Sequence, residues 1–298
     1  MDALEFKRAF WNYKSWIIPG TDLEIEGFSR SAYRTGFYIK AWHVLLDAGP
    51  QHFSRPNIVF ITHTHGDHIA ELPFSMIAPA GDAKLKPAMI YGPAEAQTFI
   101  EEYIDKLFTT NSMTPQLPRH EIDNFYQYKG VLATNVFEII INKEPIRVEV
   151  FSCDHRVPTV SYGFSICRQK LKQEYVGLQG KEIANLRKQG IEVTELQIAK
   201  KFAYVCDTSI RVFEMNPTLL QYPVIFIECT FLTDDDAEMA ADKTHIHWKE
   251  LESYVLANPE TIFMLFHFSQ RYKDAEIVEI FKQKNLENVH IWVRGAPY

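Results

Sequence analysis

The chain has 298 residues, 46% of them hydrophobic and 23% charged, with a net charge of −7. That is enough chain for a sizeable folded core, and its overall field attracts no polyanion, so nucleic-acid binding would need a local basic patch. Four scattered cysteines without a C-x-x-C pair exclude a disulfide framework, and no apolar run approaches the roughly 20 residues needed to span a bilayer.

The N-terminus lacks a basic region followed by an apolar stretch, so no signal peptide is read and a cytoplasmic protein is expected. Residues 3–18 read as an irregular or short helical lead-in whose aromatics (Phe6, Phe10, Trp11, Trp16) pack on the core. From Asp22 the apolar period becomes two, and strands are expected over Leu23–Gly27, Tyr33–Ala41 and Val44–Leu46. The last ends at Asp47, either a turn cap or a carboxylate that orients a metal-binding histidine.

An apolar run, Ile58 to Ile61, then delivers Thr62-His63-Thr64-His65-Gly66-Asp67-His68. Imidazole and carboxylate are ligands for zinc-type ions, and this H-x-H-x-D-H spacing is specific. Alternation puts His63 and His65 on one side of a strand end, with Asp67 and His68 on the turn into a helix. A helix-like run to Ala80, a surface loop at Lys84 to Pro87 and a short buried strand at Ala88 to Pro93 follow. Phe99, Tyr103, Ile104, Leu107 and Phe108 lie at helical spacing and read as a core stripe. Residues 109–130 read as a long irregular connection in which His120 is an ordinary surface histidine.

Strand patterns resume at Val136 to Ile141 and Ile146 to Phe151, and the second runs into His155. Phe202 to Cys206 delivers Asp207, Val224 to Ile227 delivers Glu228-Cys229-Thr230, and Thr261 to Phe266 delivers His267. Strand ends carrying metal-ligand residues in both halves imply one catalytic edge shared by two sheets. A binuclear site needs about three protein ligands per metal, a bridging carboxylate and a place for water. His63, His65 and His155 can hold a first metal, Asp67, His68 and His267 a second, and Asp207 can bridge.

With H-x-H-x-D-H followed by Glu71-Leu72-Pro73, the chain resembles the metallo-β-lactamase superfamily, and specifically the ribonuclease Z family in its short, plant-type form. Agreement extends to Ile25-Glu26-Gly27-Phe28-Ser29, His155-x-Val157-Pro158, Tyr175-Val176-Gly177-Leu178, Gly180-Lys181-Glu182-Ile183, Asp207-Thr208, Thr244-His245-Ile246-His247-Trp248 and His267-Phe268-Ser269-x-Arg271-Tyr272. It spans roughly residues 22 to 295. The resemblance implies an α/β fold, a four-layer αβ/βα sandwich of two mixed sheets with helices outside and the metal site at one edge. It also implies two Zn2+ ions (with Mn2+ or Mg2+ as substitutes) and cleavage of precursor tRNA on the 3′ side of the discriminator base, with no DNA or membrane partner. Asp67 becomes general base as well as ligand, and His245 the group that protonates the leaving oxygen, with His247 its near alternative. Ser269 and Arg271 fall where a phosphate is held or a ligand braced.

The chain is expected to be one domain, residues 1–298, carrying a locally basic insertion at about 168–201. There, Lys170, Lys172, Lys181, Arg187 and Lys188 are candidate RNA contacts. In the family this position holds an arm that clasps the tRNA body, often across a homodimer; the plainer alternative is a solvated surface helix. Two competing functions stand beside the tRNA reading. One is a superfamily hydrolase of a small phosphodiester or other ester, and the other a non-catalytic RNA-binding protein with a relic site.

Overall fold

The structure is a computed structural model that describes residues 13–51, 54–76, 86–115 and 118–298. Two sheets face each other. The first runs in chain order through β1 (Ser15–Ile17), β2 (Glu24–Arg30), β3 (Arg34–Ile39), β4 (Val44–Leu46), β5 (Ile58–Phe60), β6 (Ala88–Pro93) and β7 (Tyr126–Val131). The second comprises β8 (Val136–Ile141), β9 (Glu144–Ser152), β10 (Val160–Leu171), β11 (Thr194–Val205), β12 (Val224–Glu228), β13 (Ile262–Phe266), β14 (Val289–Val293) and β15 (Ala296–Pro297). Each is mixed: β1 to β4 pair antiparallel and β4 to β7 parallel, while β8 to β11 pair antiparallel and β11 to β14 parallel.

The parallel strands are short continuous apolar runs because both faces of each sheet are covered. In β12, Phe226 points between the sheets, whereas Ile225 and Ile227 point outward against helices. The inter-sheet layer is aromatic. Phe37 meets Phe266 and Trp292 edge-on at centroid distances of 5.3 and 5.1 Å, and Tyr204 stacks on Phe266 at 5.5 Å.

Helices in chain order are α1 (Gly66–Ile69), α2 (Leu72–Met76), α3 (Gln97–Ser112), α4 (Arg119–Ile122), α5 (Gly180–Lys188), α6 (Val212–Met215), α7 (Ala237–Lys243), α8 (Trp248–Ala257) and α9 (Asp274–Lys284). Helix α3 covers the first sheet with Ile100, Ile104 and Phe108, while Leu251 and Val255 of α8 and Ile277 and Phe281 of α9 cover the second. The expected four-layer α/β sandwich is therefore present. Among the described residues no helix is long and apolar enough to cross a membrane.

Several local expectations need correction. The described part of the lead-in is an edge strand, since Ser15 to Ile17 pair with Glu26 to Glu24; Phe6, Phe10 and Trp11 lie outside the described residues. The helix-like run is described only to Met76, and the loop at Lys84 to Pro87 only from Lys86. Of the expected core stripe in α3, Ile104 and Phe108 are buried, together with Ile100, whereas Phe99 and Tyr103 are 70% and 40% exposed. The supposed loop at 109–130 ends in β7, where Tyr126 and Val131 are buried and Gln127 and Lys129 are exposed.

Strands β10 and β11 stay paired out to Leu171–Thr194, whereas β9 leaves β10 at Ile166. A two-stranded ribbon therefore projects beyond the sheet, tipped by α5. Gly177 and Gly190 shape the turns at positive φ of 103° and 78°, which glycine alone adopts freely.

Candidate metal centre

The site forms where loops leave the strand ends of both sheets. Residues Ile61 to His65 follow β5, and α1 begins at once, with His65 still extended and Asp67 and His68 in its only turn. The chain after β4 cradles this loop: Ala48 N–H donates to the His68 carbonyl at 2.6 Å and Glu71 N–H to the Ala48 carbonyl at 2.8 Å. The approach is so close that a Cβ on Gly49 would lie 1.8 Å from the Asp67 carbonyl oxygen. Asp47 and His267 adopt left-handed backbone, φ 55° and 65°, at the ends of β4 and β13. That conformation is costly in non-glycine residues and aims both side chains inward.

Two groups of donors result. In the first, Nδ1 of His65 lies 3.1 Å from Nε2 of His63 and 3.3 Å from Nε2 of His155. In the second, Nε2 of His267 lies 3.3 Å from Nε2 of His68 and 3.4 Å from Oδ2 of Asp67. The Asp207 carboxylate joins them, with Oδ2 3.5 Å from His63 and Oδ1 3.5 and 3.3 Å from His68 and His267. Four donors held tetrahedrally about 2.0–2.1 Å from one cation lie about 3.3 Å apart. The separations within His63, His65, His155 and Asp207, 3.1 to 3.9 Å, and within Asp67, His68 and His267, 3.3 to 3.5 Å, lie near that spacing. His63, His68, Asp207 and His267 are nearly or fully buried, whereas Asp67 keeps 13% of its side chain exposed.

Hydrogen bonding sets the tautomers. Thr62 gives its single O–H to Asp47, so His63 Nδ1–H donates to Thr62 Oγ1 at 3.0 Å and Nε2 presents its lone pair. His68 Nδ1–H donates directly to Asp47 Oδ2 at 3.0 Å. Across the site, Thr230 gives its O–H to Glu228 at 2.7 Å and accepts from His267 Nδ1–H at 3.0 Å. His155 Nδ1–H donates to the Thr244 carbonyl at 3.2 Å. Four imidazoles thus aim their Nε2 atoms at the two groups, as metal-ligating histidines do. His68 differs in that burial disfavours its charged form but the carboxylates around it, Asp207 foremost, raise its pKa. Burial lowers the pKa of His63, His65 and His155, which keeps them in the ligating form. Burial opposes ionisation of Asp67 and Asp207 too, but the surrounding histidines hold both carboxyls well below the usual range. The donor chemistry, spacing and tautomers all fit bound divalent cations.

His245 stands beside this cluster, its ring centroid 5.2 Å from that of His155 and 5.5 Å from that of His267. Its Nδ1 donates to Glu228 Oε1 at 2.8 Å. Burial disfavours its charged form, but the Glu228 carboxylate prevails and raises its pKa to about 9. His247 points elsewhere, which corrects the expectation that either ring could serve. It caps α8, its Nδ1 accepting from Lys249 N–H at 3.2 Å while Nε2 donates to the Thr233 carbonyl at 2.8 Å.

A cleft of about 410 Å³ opens on the cluster, lined by Tyr33, Arg34, His65, Asp67, Arg156, Asp207, His245 and His267 among others. Ser269 and Arg271 do not line it. Ser269 Oγ accepts from Arg271 N–H, and the Arg271 guanidinium, more than half exposed, pairs with Asp236 at 3.4 Å. Lys170, Lys172, Lys181, Arg187 and Lys188 are away from the cleft, on the ribbon and its α5 tip, and all but the half-buried Lys172 are exposed. Sequence reasoning missed Glu228, Arg34 and Arg156. Glu228 carried one usable signal, an acid at the end of an all-apolar strand, as at Asp47 and Asp207.

No family model matches the chain. It is 31% identical over 258 residues to a protein named tRNase Z TRZ1 from Arabidopsis thaliana, covering 85% of this chain and 88% of that relative. A second Arabidopsis protein, the chloroplastic tRNase Z TRZ2, is 29% identical over 269 residues, 87% of this chain and 72% of its own length. Among solved structures the fold is similar to the short form of human tRNase Z, with a TM-score of 0.54 at 15% identity over 92% of this chain and 98% of that one. The metallo-β-lactamase fold protein YhfI of Bacillus subtilis matches equally, with a TM-score of 0.54 at 14% identity over 92% and 98%.

Proposed function

The chain belongs to the tRNase Z family, and from that premise we propose that it is a metal-dependent endoribonuclease that cuts precursor tRNA on the 3′ side of the discriminator base. The observation that carries this reading is the four-donor group His63, His65, His155 and Asp207 beside the three-donor group Asp67, His68 and His267, with Asp207 also 3.5 and 3.3 Å from His68 and His267, at an open cleft. His63, His65, His155 and Asp207 would hold one cation, and Asp67, His68, His267 and Asp207 the other, with zinc best suited to imidazole and carboxylate donors. Bound there, two such cations acidify a water and neutralise charge on a phosphoryl group.

The protein's own groups complete the chemistry. Asp67 reaches the cleft with its carboxylate ionised, ready to accept a proton from the attacking water. His245, held protonated by Glu228, donates its proton to the departing 3′ oxygen as the P–O bond breaks, leaving a 3′ hydroxyl on the tRNA and a phosphate on the trailer. Arg34 and Arg156 border the same cleft and supply fixed positive charge for the phosphodiester. The projecting ribbon would grip the tRNA body through Lys170, Lys172, Lys181, Arg187 and Lys188. A homodimer belongs to this proposal as the family's working form, and a cytoplasmic setting suits the four free cysteines.

Zinc- or manganese-loaded protein incubated with a 3′-extended precursor tRNA should release the trailer, and a chelator should stop the reaction. Intact precursor beside rapid hydrolysis of a small phosphodiester would instead make the protein a hydrolase of small esters.

A further inference from the structure

A second cleft, of about 490 Å³, adjoins the metal-centre cleft and is lined by Arg30, Tyr33, Gln270, Tyr272, Lys273, Asp274 and Arg294. Tyr33 borders both clefts. Two residues beyond Arg30, the Ala32 N–H donates to Oδ2 of Asp67 at 2.8 Å, so the turn that carries Arg30 also touches the metal loop.

The charges in this second cleft do not close among themselves. Arg30 is only 4% exposed and gives one guanidinium nitrogen to the Tyr272 carbonyl. Its other terminal nitrogen, NH1, is buried without a hydrogen bond, as is Oδ1 of Asp274. The two atoms stand 3.7 Å apart, well beyond the 2.7–2.9 Å of a charge-assisted hydrogen bond. Asp274 already serves Arg294, whose Nε lies 2.6 Å from its other oxygen. Lys273 has no carboxylate partner among the described residues. Three cations therefore face one carboxylate, and a buried guanidinium nitrogen lacks an acceptor, a costly arrangement that a ligand oxygen would relieve.

We propose that this cleft is a binding subsite for a backbone phosphate of the RNA strand that passes the metal centre, with Arg30 and Lys273 as its donors and Arg294 as its outer cation. The assignment rests on the RNA-cleaving reading above. A strand bound with its scissile phosphate at Asp67 then places a neighbouring phosphate beyond Tyr33. Phosphate contacts of this kind set register without reading bases.

The test is fluorescence anisotropy of a short labelled 2′-O-methyl oligoribonucleotide bound by wild type and by Lys273→Ala, Arg294→Ala and Lys143→Ala. Lys273 and Lys143 are exposed and Arg294 is 55% exposed, so none of the three substitutions empties a core position. K273A and R294A should each weaken binding about tenfold and flatten the dependence of log affinity on log salt by about 0.7, the value for one single-strand phosphate left without its cation. K143A, on the distant β8–β9 turn, should bind as wild type does. Wild-type affinity and salt slope in both cleft variants, or an equal loss in K143A, would overturn the subsite. Binding is read without turnover: a wild type that cuts no precursor tRNA sinks the endonuclease reading, while the K273A comparison still decides the subsite.

Discussion

Asp47 and Glu228 are counterparts from opposite sheets. Each is a fully buried carboxylate at the end of an apolar strand, β4 for Asp47 and β12 for Glu228. Each accepts a threonine O–H, from Thr62 and Thr230, and that threonine in turn accepts the Nδ1–H of a cluster histidine, His63 or His267. Each also receives one imidazole directly, His68 for Asp47 and His245 for Glu228. Opposite strand ends thus orient the rings by the same device.

Replacing Asp47 by alanine should reduce cation affinity about 10- to 100-fold, the cost of removing an outer partner of a ligating histidine. His68 would lose the acceptor that fixes its tautomer, and Tyr204, whose O–H donates to Asp47 at 3.0 Å, would be left without that acceptor. Competition with a chromogenic chelator measures this; wild-type affinity would remove Asp47 from the metal-holding apparatus.

Loss of His245 should depend on the leaving group. His245→Ala is expected to slow precursor cleavage about 10²- to 10⁴-fold, the range for a general acid acting on a poor leaving group. On bis(p-nitrophenyl) phosphate, whose nitrophenolate leaves without a proton, the loss should be far smaller. Glu228→Gln should show the same contrast more weakly, since the ring stays but the charge that raises its pKa is gone. Equal losses on both substrates would contradict the acid assignment.

His247→Ala should leave kcat near wild type and lower the melting temperature. The ring satisfies one N–H at the start of α8, and losing a helix cap costs about 0.5–2 kcal/mol. Thermal unfolding and precursor cleavage, measured together, separate this from a catalytic role; a large fall in kcat at unchanged stability would reverse the assignment.

Neutralising Lys181, Arg187 and Lys188 at the ribbon tip should raise KM for precursor tRNA and leave kcat nearly unchanged. The salt dependence of binding should flatten by about 0.9 for each duplex phosphate that is no longer neutralised. A variant with wild-type KM and slope would make the ribbon a surface feature without a grip on RNA.

The metal loop was legible because His63, His65, Asp67 and His68 announce one chemistry within a single turn of chain. His155, Asp207 and His267 were legible as candidates because each follows shortly after a strand, β9, β11 or β13, and these three strands run the same way, so their ends meet at one edge. Glu228 carries the same mark, but an isolated acid at a strand end is ordinarily structural, and only the threonine relay reveals its part. His245 and His247 could not be separated, since two residues apart in an irregular segment they share a parity; the start of α8 at Trp248 turned one ring into a cap. Strand β7 was hidden because its inward residues include Tyr126 and Tyr128, whose neighbours are polar. The Arg30 cleft could not be read at all, because it joins residues more than 240 positions apart.

Anomalous diffraction at the zinc absorption edge, on crystals of the metal-loaded protein, tests the binuclear centre most directly. Two peaks about 3.5–4 Å apart, one on each side of the Asp207 carboxylate, are expected. A single peak, or none at this position in a protein that still cuts precursor tRNA, would contradict it.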